Sequence, residues 1–317
     1  MLRLAFLAAV VAGLGLAVGR QWTEVRRTLD QLEPDLVALA LCLVLVGQLA
    51  SMLAWRALVE GLGSPLRVPV AGRIFFVGQL GKYLPGSVWP VLAQMEMGRA
   101  AGVPRTRIGA ASIMTIGVSV ATGLSVGLLC LPALLAGGGR HYAWVLLGLP
   151  LAVALLHPRV LNTVLRRGLR LLRRPAPERP VGARAVLAAS GWLLVTWLCF
   201  GLQIAVLAAD LGAHGARVLP LAIGGFSIAM TLGLLFLVAP AGVGAREAVL
   251  ILVLSPVLSV GSATALALVS RLLLTLSDGL VAGAAVLAAR RHHQLLRAVA
   301  GTDPPVDPYR GPDLPGS

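Results

Sequence analysis

The sequence predicts an all-α protein that crosses a membrane several times. Of its 317 residues, 57% are hydrophobic and only 13% are charged, and the mean hydropathy is +0.87. A soluble domain needs more charged residues to cover its surface. The apolar residues also fall in runs that approach the roughly 20 residues needed for a spanning helix. Arginines flank these runs, so the net charge of +14 is explained by a bilayer rather than by nucleic acid.

Eight apolar runs are candidates for transmembrane helices. Their approximate bounds are Leu4–Gly19, Leu36–Leu58, Ile108–Leu135, Ala143–Leu156, Ala185–Ala209, Leu219–Val238, Ala248–Val260 and Ala263–Ala289. The fourth and seventh are short, so they could be broken or tilted. The first could instead be a signal peptide, because Arg3 precedes it and small residues follow it. Residues 70–80 are too few to cross, and residues 70–97 are therefore predicted to form a re-entrant hairpin with Pro85-Gly86 at its tip.

Arginine placement predicts the orientation. Clusters follow the second, fourth and eighth runs, whereas the alternate connections are poorer in arginine. Eight spans with both termini in the cytoplasm agree with this bias. Residues 1–291 then form one transmembrane domain, and residues 292–317, rich in Pro, Gly and Asp, are predicted to be a disordered cytoplasmic tail.

Two short polar segments interrupt the apolar sequence at residues 81–89 and 240–247. Each gathers glycine, proline and charge, and the first contains Lys82, the only lysine of the chain. Irregular backbone at membrane depth is tolerated only where protein or water satisfies its polar groups. Paired Gly/Pro breaks in the two halves of a membrane protein point to a binding site. Because the two motifs follow the second and sixth runs, the offset of four helices predicts parallel repeats.

Twelve residues in and near the two motifs form the predicted substrate-binding site. They are Lys82, Tyr83, Pro85, Gly86, Trp89, Glu96, Gly242, Gly244, Arg246, Glu247, Arg271 and Asp278. The turn at Pro85-Gly86 leaves backbone groups unpaired, and Lys82 beside it could face a phosphate or a carboxylate. Equally, Lys82 could extend to the membrane surface, with Tyr83 and Trp89 as interfacial anchors. Both interpretations stay open.

Arg246 and Glu247 are placed in the first turn of the seventh run. A helix N-terminus offers free N–H groups and a partial positive charge, which suits an anion, although Glu247 could also cap its own helix. Arg271 and Asp278 are seven residues apart on one face of the last run. They are either structural partners, of each other or of the two motifs, or the wall of a polar cavity.

Glu96 has two interpretations as well. It pairs with Arg99 at the surface, or it serves as the acid of a cavity with Lys82. Gln48 and Gln203 are single amides within apolar runs and are predicted to form interhelical hydrogen bonds. The sequence contains no nucleophile, metal or dinucleotide motif, so we predict no catalytic residue, metal or cofactor.

The two motifs carry a resemblance to a known family. Residues 78–89, GQLGKYLPGSVW, match the pattern GKYxPGxxW, and residues 240–247, PAGVGARE, match PxGxGxRE. The sequence thereby resembles the lysylphosphatidylglycerol synthase transmembrane-region family over roughly residues 35–290. This family includes the flippase-like part of the multiple peptide resistance factor and short stand-alone proteins of bacteria and archaea.

The resemblance implies an eight-helix domain of the bacterial inner membrane that translocates a lipid or a lipid-linked glycan. The expected partner is a membrane lipid with an anionic headgroup. Full-length synthases add a soluble aminoacyl-transferase domain, which is not expected here, so neither is aminoacyl transfer. Two alternatives stay open: a non-catalytic scaffold that recruits a soluble cytoplasmic glycosyltransferase or synthase through residues 157–184, and a membrane enzyme that modifies a lipid headgroup.

Overall fold

The computed structural model describes residues 31–83, 88–134, 147–171, 173, 175–235 and 245–300. Over these residues the chain is helical and contains no strand, which confirms the all-α prediction. The first apolar run and the residues Pro85, Gly86, Gly242 and Gly244 lie outside the described residues, as does the tail beyond residue 300. Residues 292–300, predicted to belong to the disordered tail, instead continue the last helix.

Ten α-helices follow one another in the described residues. They are α1 (Pro34–Gly61), α2 (Val68–Gln79), α3 (Trp89–Ala100), α4 (Arg105–Leu134), α5 (Gly148–Ala154), α6 (Pro158–Leu171), α7 (Ala183–Asp210), α8 (Val218–Leu235), α9 (Ala245–Leu254) and α10 (Val260–Ala300). A 3₁₀ turn, Leu80–Tyr83, extends α2. Prolines in the first turns of α1, α2 and α3 start these helices, since a proline there sacrifices no helical hydrogen bond.

Among the described residues, fewer helices could cross a membrane than the eight that the sequence predicts for the whole chain. By length and composition, α1, α4, α7 and α10 could cross, and α5 with α6 could add a fifth span although the two are bent by 72°. The count of eight is therefore not confirmed. The seventh run illustrates why: α9 has 10 residues and is about 15 Å long, which is half of a bilayer's hydrocarbon core.

Helices α2 and α3 form the hairpin that the sequence predicts at residues 70–97. Each has 12 residues, about 18 Å, which is too short to span a bilayer. Gly78 faces the side chain of Gln94, and Gly81 faces the backbone of Trp89 and Pro90. These contacts make the helices antiparallel, so the chain returns to the side from which it entered. A side chain at either glycine would separate them.

The arrangement of a long helix, two short helices and a second long helix occurs twice. It comprises α1 to α4 in the first half and α7 to α10 in the second. In each half a glycine of positive φ lies two residues after the end of the first long helix, Gly63 at 84° and Gly212 at 88°, the position that a left-handed C-terminal cap favours for glycine. The final helix of each half packs on the other half's short pair, α10 on α2 and α4 on α8.

The two halves are inverted repeats. Helices α1 and α7 are antiparallel, as three contacts along their length show: Glu33 with Asp210, Gly47 with Phe200, and Gly61 with Ala185. Equivalent helices thus run in opposite directions, and the prediction of parallel repeats is wrong. The sequence-based prediction matched α8 to α1, whereas the structure makes α7 the equivalent of α1. With α7 as the equivalent, the offset between equivalent helices is three segments instead of four. An odd offset inverts the second half relative to the first.

Helix α5 lies on the path by which the chain returns across the helical layer. Arg107, at the start of α4, donates to the carbonyl of Gly63. Asn162 of α6 bonds to Val181, whose side chain lies beside Gly61. The start of α4 and the Asn162 turn of α6 therefore lie at the same end of the molecule, so the chain that leaves this end in α4 has returned to it by Asn162. We call this end the arginine-rich side and the end at Asp210 the opposite side.

The topology gives the first prediction. On the arginine bias, the arginine-rich side faces the cytoplasm. With Cys42, Cys130 and Cys199 replaced by Ala, a membrane-impermeant maleimide applied to intact cells should label His214→Cys, on the opposite side, and not Arg170→Cys. Permeabilised cells should label both. Labelling of Arg170→Cys in intact cells would reverse the orientation.

Candidate functional site

Helix α10 is the element on which both interrupted segments converge. It packs against α2, the 3₁₀ turn and α9. Arg271 and Asp278 lie about two turns apart on its inner face. Each is the partner of one motif, so the structure selects that alternative over a pair formed by Arg271 and Asp278 with each other.

Asp278 holds the first motif. Its carboxylate is 4% exposed and accepts from three donors. Lys82 Nζ lies 2.6 Å from Oδ2, the Tyr83 hydroxyl donates to the same oxygen over 2.6 Å, and Gln48 Nε2 donates to Oδ1 over 2.7 Å. A buried carboxylate with an ammonium and two neutral donors is well compensated. Lys82 therefore turns inward rather than only toward the membrane surface.

Arg271 holds the second motif. Its guanidinium donates to Glu247 Oε1 over 2.7 Å, and both side chains are only 14% exposed. Glu247 lies in the first turn of α9, so its charge is also favourable for the N-terminus of that helix. The ion pair joins the second interrupted segment to α10 as Lys82–Asp278 joins the first.

Arg246, unlike Lys82 and Arg271, forms no ion pair within the described residues. It is 7% exposed, and no carboxylate of the described residues lies within ion-pair distance of it. Its guanidinium donates to Ser270 Oγ over 3.4 Å and lies 5.0 Å from the centre of the Phe226 ring. Gln203 Nε2 donates to the same serine over 2.9 Å. Within the described residues, Gln203 Oε1 is buried without a partner.

The charged groups act on one another. Arg246 precedes Glu247 and bonds to Ser270, the residue before Arg271, and Asp278 with Lys82 lies two turns further along α10, so the two motifs and α10 form one cluster. Together with Lys82, three cations face two carboxylates, which leaves one excess positive charge. A single monoanion would neutralise the cluster, and the Arg246 guanidinium, which has no carboxylate partner among the described residues, has donors left for it.

The structure brings together half of the predicted site residues. These are Lys82, Tyr83, Arg246, Glu247, Arg271 and Asp278. Trp89 starts α3 and is 40% exposed, with its backbone against Gly81. Pro85, Gly86, Gly242 and Gly244 lie outside the described residues.

Glu96 does not join the cluster. It is exposed and bonds to Arg105 and Arg99, and the Arg105 guanidinium lowers the pKa of its carboxyl. The interpretation as a surface partner is therefore the one that the structure supports. The interpretation as the acid of a cavity with Lys82 is not supported.

Several residues of the cluster were not predicted as site residues. Gln48 and Gln203 do form the predicted interhelical bonds, but their partners belong to the site. Ser270 and Phe226 went unnoticed. Buried amides in otherwise apolar helices were the available signal, since each must find a polar partner in the interior.

The internal repeat creates two equivalent helix contacts, α1 with α10 and α7 with α4, and the charged cluster lies at the first of them. Trp197 donates to Thr122 over 3.0 Å, and Gln48 contacts Ser277 in the same way at 3.5 Å. The two bonds are related by the internal repeat. The next residue on α10 is Asp278, whereas the next residue on α4 is a glycine. The fold is thus repeated, but the charges are not.

One comparison with known proteins finds a family whose description is that of a membrane region. Residues 1–290 match the family model described as the lysylphosphatidylglycerol synthase TM region. A search of the curated proteins finds no match.

The Lys82–Asp278 contact gives a stability prediction. Asp278→Ala should lower the free energy of unfolding by about 3 kcal/mol, because it leaves a partly buried ammonium and two donors without their acceptor. We use the low end of the usual range because Lys82 is 32% exposed. The measurement is thermal unfolding in detergent, with Glu96→Ala at the exposed pair as the control. Lys82→Met combined with Asp278→Ala should restore part of the loss. Equal melting temperatures for Asp278→Ala and Glu96→Ala would contradict the assigned pair.

Proposed function

The chain belongs to the lysylphosphatidylglycerol synthase transmembrane-region family, and on that premise we propose that it translocates a lipid or lipid-linked glycan with a phosphate-containing, anionic headgroup. The observation that carries the proposal is Arg246, a buried guanidinium without a carboxylate partner among the described residues. A headgroup phosphate is the anion that phospholipids bring to a membrane protein.

The energetic argument concerns the excess charge. An uncompensated arginine at the centre of a bilayer costs about 2.5–3.5 kcal/mol on insertion scales. An anion bound at Arg246, beside Glu247 and Arg271, would offset this cost and stabilise the cluster. Arginine is suited to this role because its planar fork donates two parallel hydrogen bonds to a phosphate.

The position of the cluster supports translocation rather than simple binding. The first interrupted segment is reached from the arginine-rich side, because α2 and α3 both connect there. The second is reached from the opposite side, where α7 ends and α8 begins. They meet on α10 between Ser270 and Asp278. In secondary transporters, inverted repeats with discontinuous helices place the substrate near the middle of the membrane in this way.

The two ion pairs suggest how a substrate would open the site. Lys82–Asp278 ties the first short pair to α10, and Arg271–Glu247 ties α9 to it. A phosphate entering beside Arg246 competes with both carboxylates for these cations. Loss of one ion pair would free the segment on one side while the other remains closed. The site would then be exposed to one leaflet at a time.

Substitution of the site cations tests the proposal. Arg246→Ala and Lys82→Ala should slow translocation by about tenfold or more, which is the loss expected for a charged hydrogen bond, while membrane insertion is kept. The measurement is transfer of a fluorescent anionic phospholipid between the leaflets of proteoliposomes, read by chemical quenching of the outer leaflet. Glu247→Gln should act weakly if Glu247 only caps its helix, and as strongly as Arg246→Ala if its ion pair is a gate.

The matched control is Arg73→Ala, which removes an exposed arginine from α2. It should transfer lipid at the wild-type rate. Equal transfer of a zwitterionic and an anionic lipid would contradict the anionic selectivity, and a wild-type rate for Arg246→Ala would contradict the site. Absence of transfer by the wild type would favour the scaffold alternative, which predicts a soluble synthase or glycosyltransferase that co-purifies.

A further experiment addresses the enzyme alternative. In the cluster, both carboxylates are engaged by cations, which leaves neither as a free base beside a nucleophile. Expression in a host that lacks aminoacylated lipids should therefore yield no lysyl- or alanyl-phosphatidylglycerol. Mass spectrometry of the extracted lipids is the measurement, and a full-length synthase is the positive control. Appearance of either lipid would establish catalysis.

A further inference from the structure

Helix α6 presents three different sides. At 100° per residue, Leu161, Leu165 and Leu169 share one side, and Val160, Val164 and Leu171 share a second. Arg159, Arg166, Arg167 and Arg170 share the third. From this division we infer that α6 lies along the membrane surface and that its arginines bind the anionic headgroups of that leaflet. The inference is independent of translocation, since it uses no residue of the central cluster.

The first side is attached to the protein. Leu161 and Leu165 are buried, and Leu161 contacts the face of α4 at Gly117. The Asn162 side chain bonds both ways with Val181: it donates to the carbonyl over 2.9 Å and accepts from the N–H over 3.0 Å. This side fixes the rotation of α6 about its axis, and with it the direction of the other two sides.

The second side is apolar and uncovered. Val164 is 61% exposed and Leu171 is 86% exposed. The preceding helix α5 is also apolar and uncovered at Leu147 and Leu151, as expected of a helix in lipid. Because α6 is bent from α5 by 72°, it lies nearly at right angles to α5. In our inference the two helices therefore do not form one span: α6 lies in the plane of the interface, where acyl chains would cover Val164 and Leu171.

The third side carries the charge. Arg159, Arg166, Arg167 and Arg170 are all exposed, and α6 contains no acidic residue. The nearby Glu178 is engaged by Arg107. The arginines thus border the apolar side directly, with their guanidinium groups at the level where lipid phosphates lie. Negative lipid headgroups complement these arginines. Each basic residue near an anionic membrane surface raises the affinity for that surface by about fivefold.

A soluble protein is the other occupant that four arginines could bind. The exposed apolar side of α6 argues against a soluble protein as the occupant. A soluble partner on the arginines would leave Val164 and Leu171 in water, whereas a lipid surface covers both sides at once. The two occupants also differ in a measurable property, because only lipid brings acyl chains into contact with Val164.

The experiment measures which lipids surround α6. Val164→Cys, in a chain whose native cysteines are Ala, is labelled with bimane and reconstituted into vesicles of mixed anionic and zwitterionic phospholipid. Bromine is placed on the acyl chains of one lipid class at a time. We expect quenching by both brominated lipids and a severalfold preference for the anionic one at low salt, decreasing as salt screens the arginines.

The decisive variant is the triple substitution Arg166→Gln, Arg167→Gln, Arg170→Gln, which should remove the preference while quenching itself persists. Its matched control changes three exposed arginines elsewhere on the arginine-rich side, Arg73→Gln, Arg184→Gln and Arg290→Gln, and should keep the preference. Equal quenching by both lipid classes in the wild type would overturn headgroup binding. Absence of quenching by either lipid would overturn the membrane position and favour a soluble partner.

Discussion

Neutralisation of charge inside an apolar helical layer is the constraint on which the rest of this structure depends. Each interrupted segment carries charge where hydrocarbon would otherwise be, and such charge must be paired. Helix α10 supplies one partner to each segment, Asp278 to Lys82 and Arg271 to Glu247. Because the two partners share one helix face, the segments are brought to the same place. The positive charge of Arg246 is not balanced by these two ion pairs. In our proposal this excess charge makes the cluster a site for an anion.

Close helix packing makes this convergence possible. Where α7 meets α1 and α8, glycines remove the side chain that would separate the helices: Gly47 faces Phe200, and Gly201 faces the backbone of Ile223. Within each short pair, Gly78 and Gly225 do the same against Gln94 and Val253. In membrane proteins, small residues at such contacts replace the hydrophobic driving force that is absent in lipid.

The inverted repeat and the asymmetric charge have different consequences. Inversion lets one short pair enter from each side of the layer, so a site between them can in principle be reached from either leaflet. Of the two equivalent helices α4 and α10, only α10 contributes charge to the cluster, and the position on α4 equivalent to Asp278 is a glycine. One cluster therefore serves both approaches, instead of two clusters acting independently. Helix α6 lies apart from this arrangement and, in our inference, contacts the lipid from which a substrate would come.

The sequence by itself determined the all-helical membrane class, the two interrupted segments, the family and six residues of the cluster, because hydrophobicity, glycine, proline and isolated charge are local signals. Only the tertiary structure decided the pairing. Whether Asp278 joins Lys82 or Arg271, and whether Glu96 lies in the cluster or at the surface, depends on helix rotation and on which helices are neighbours. The inversion of the repeat was likewise decided by the tertiary structure, because it depends on how many segments cross the helical layer. Contacts between residues distant in the chain carry that information, and the local pattern does not.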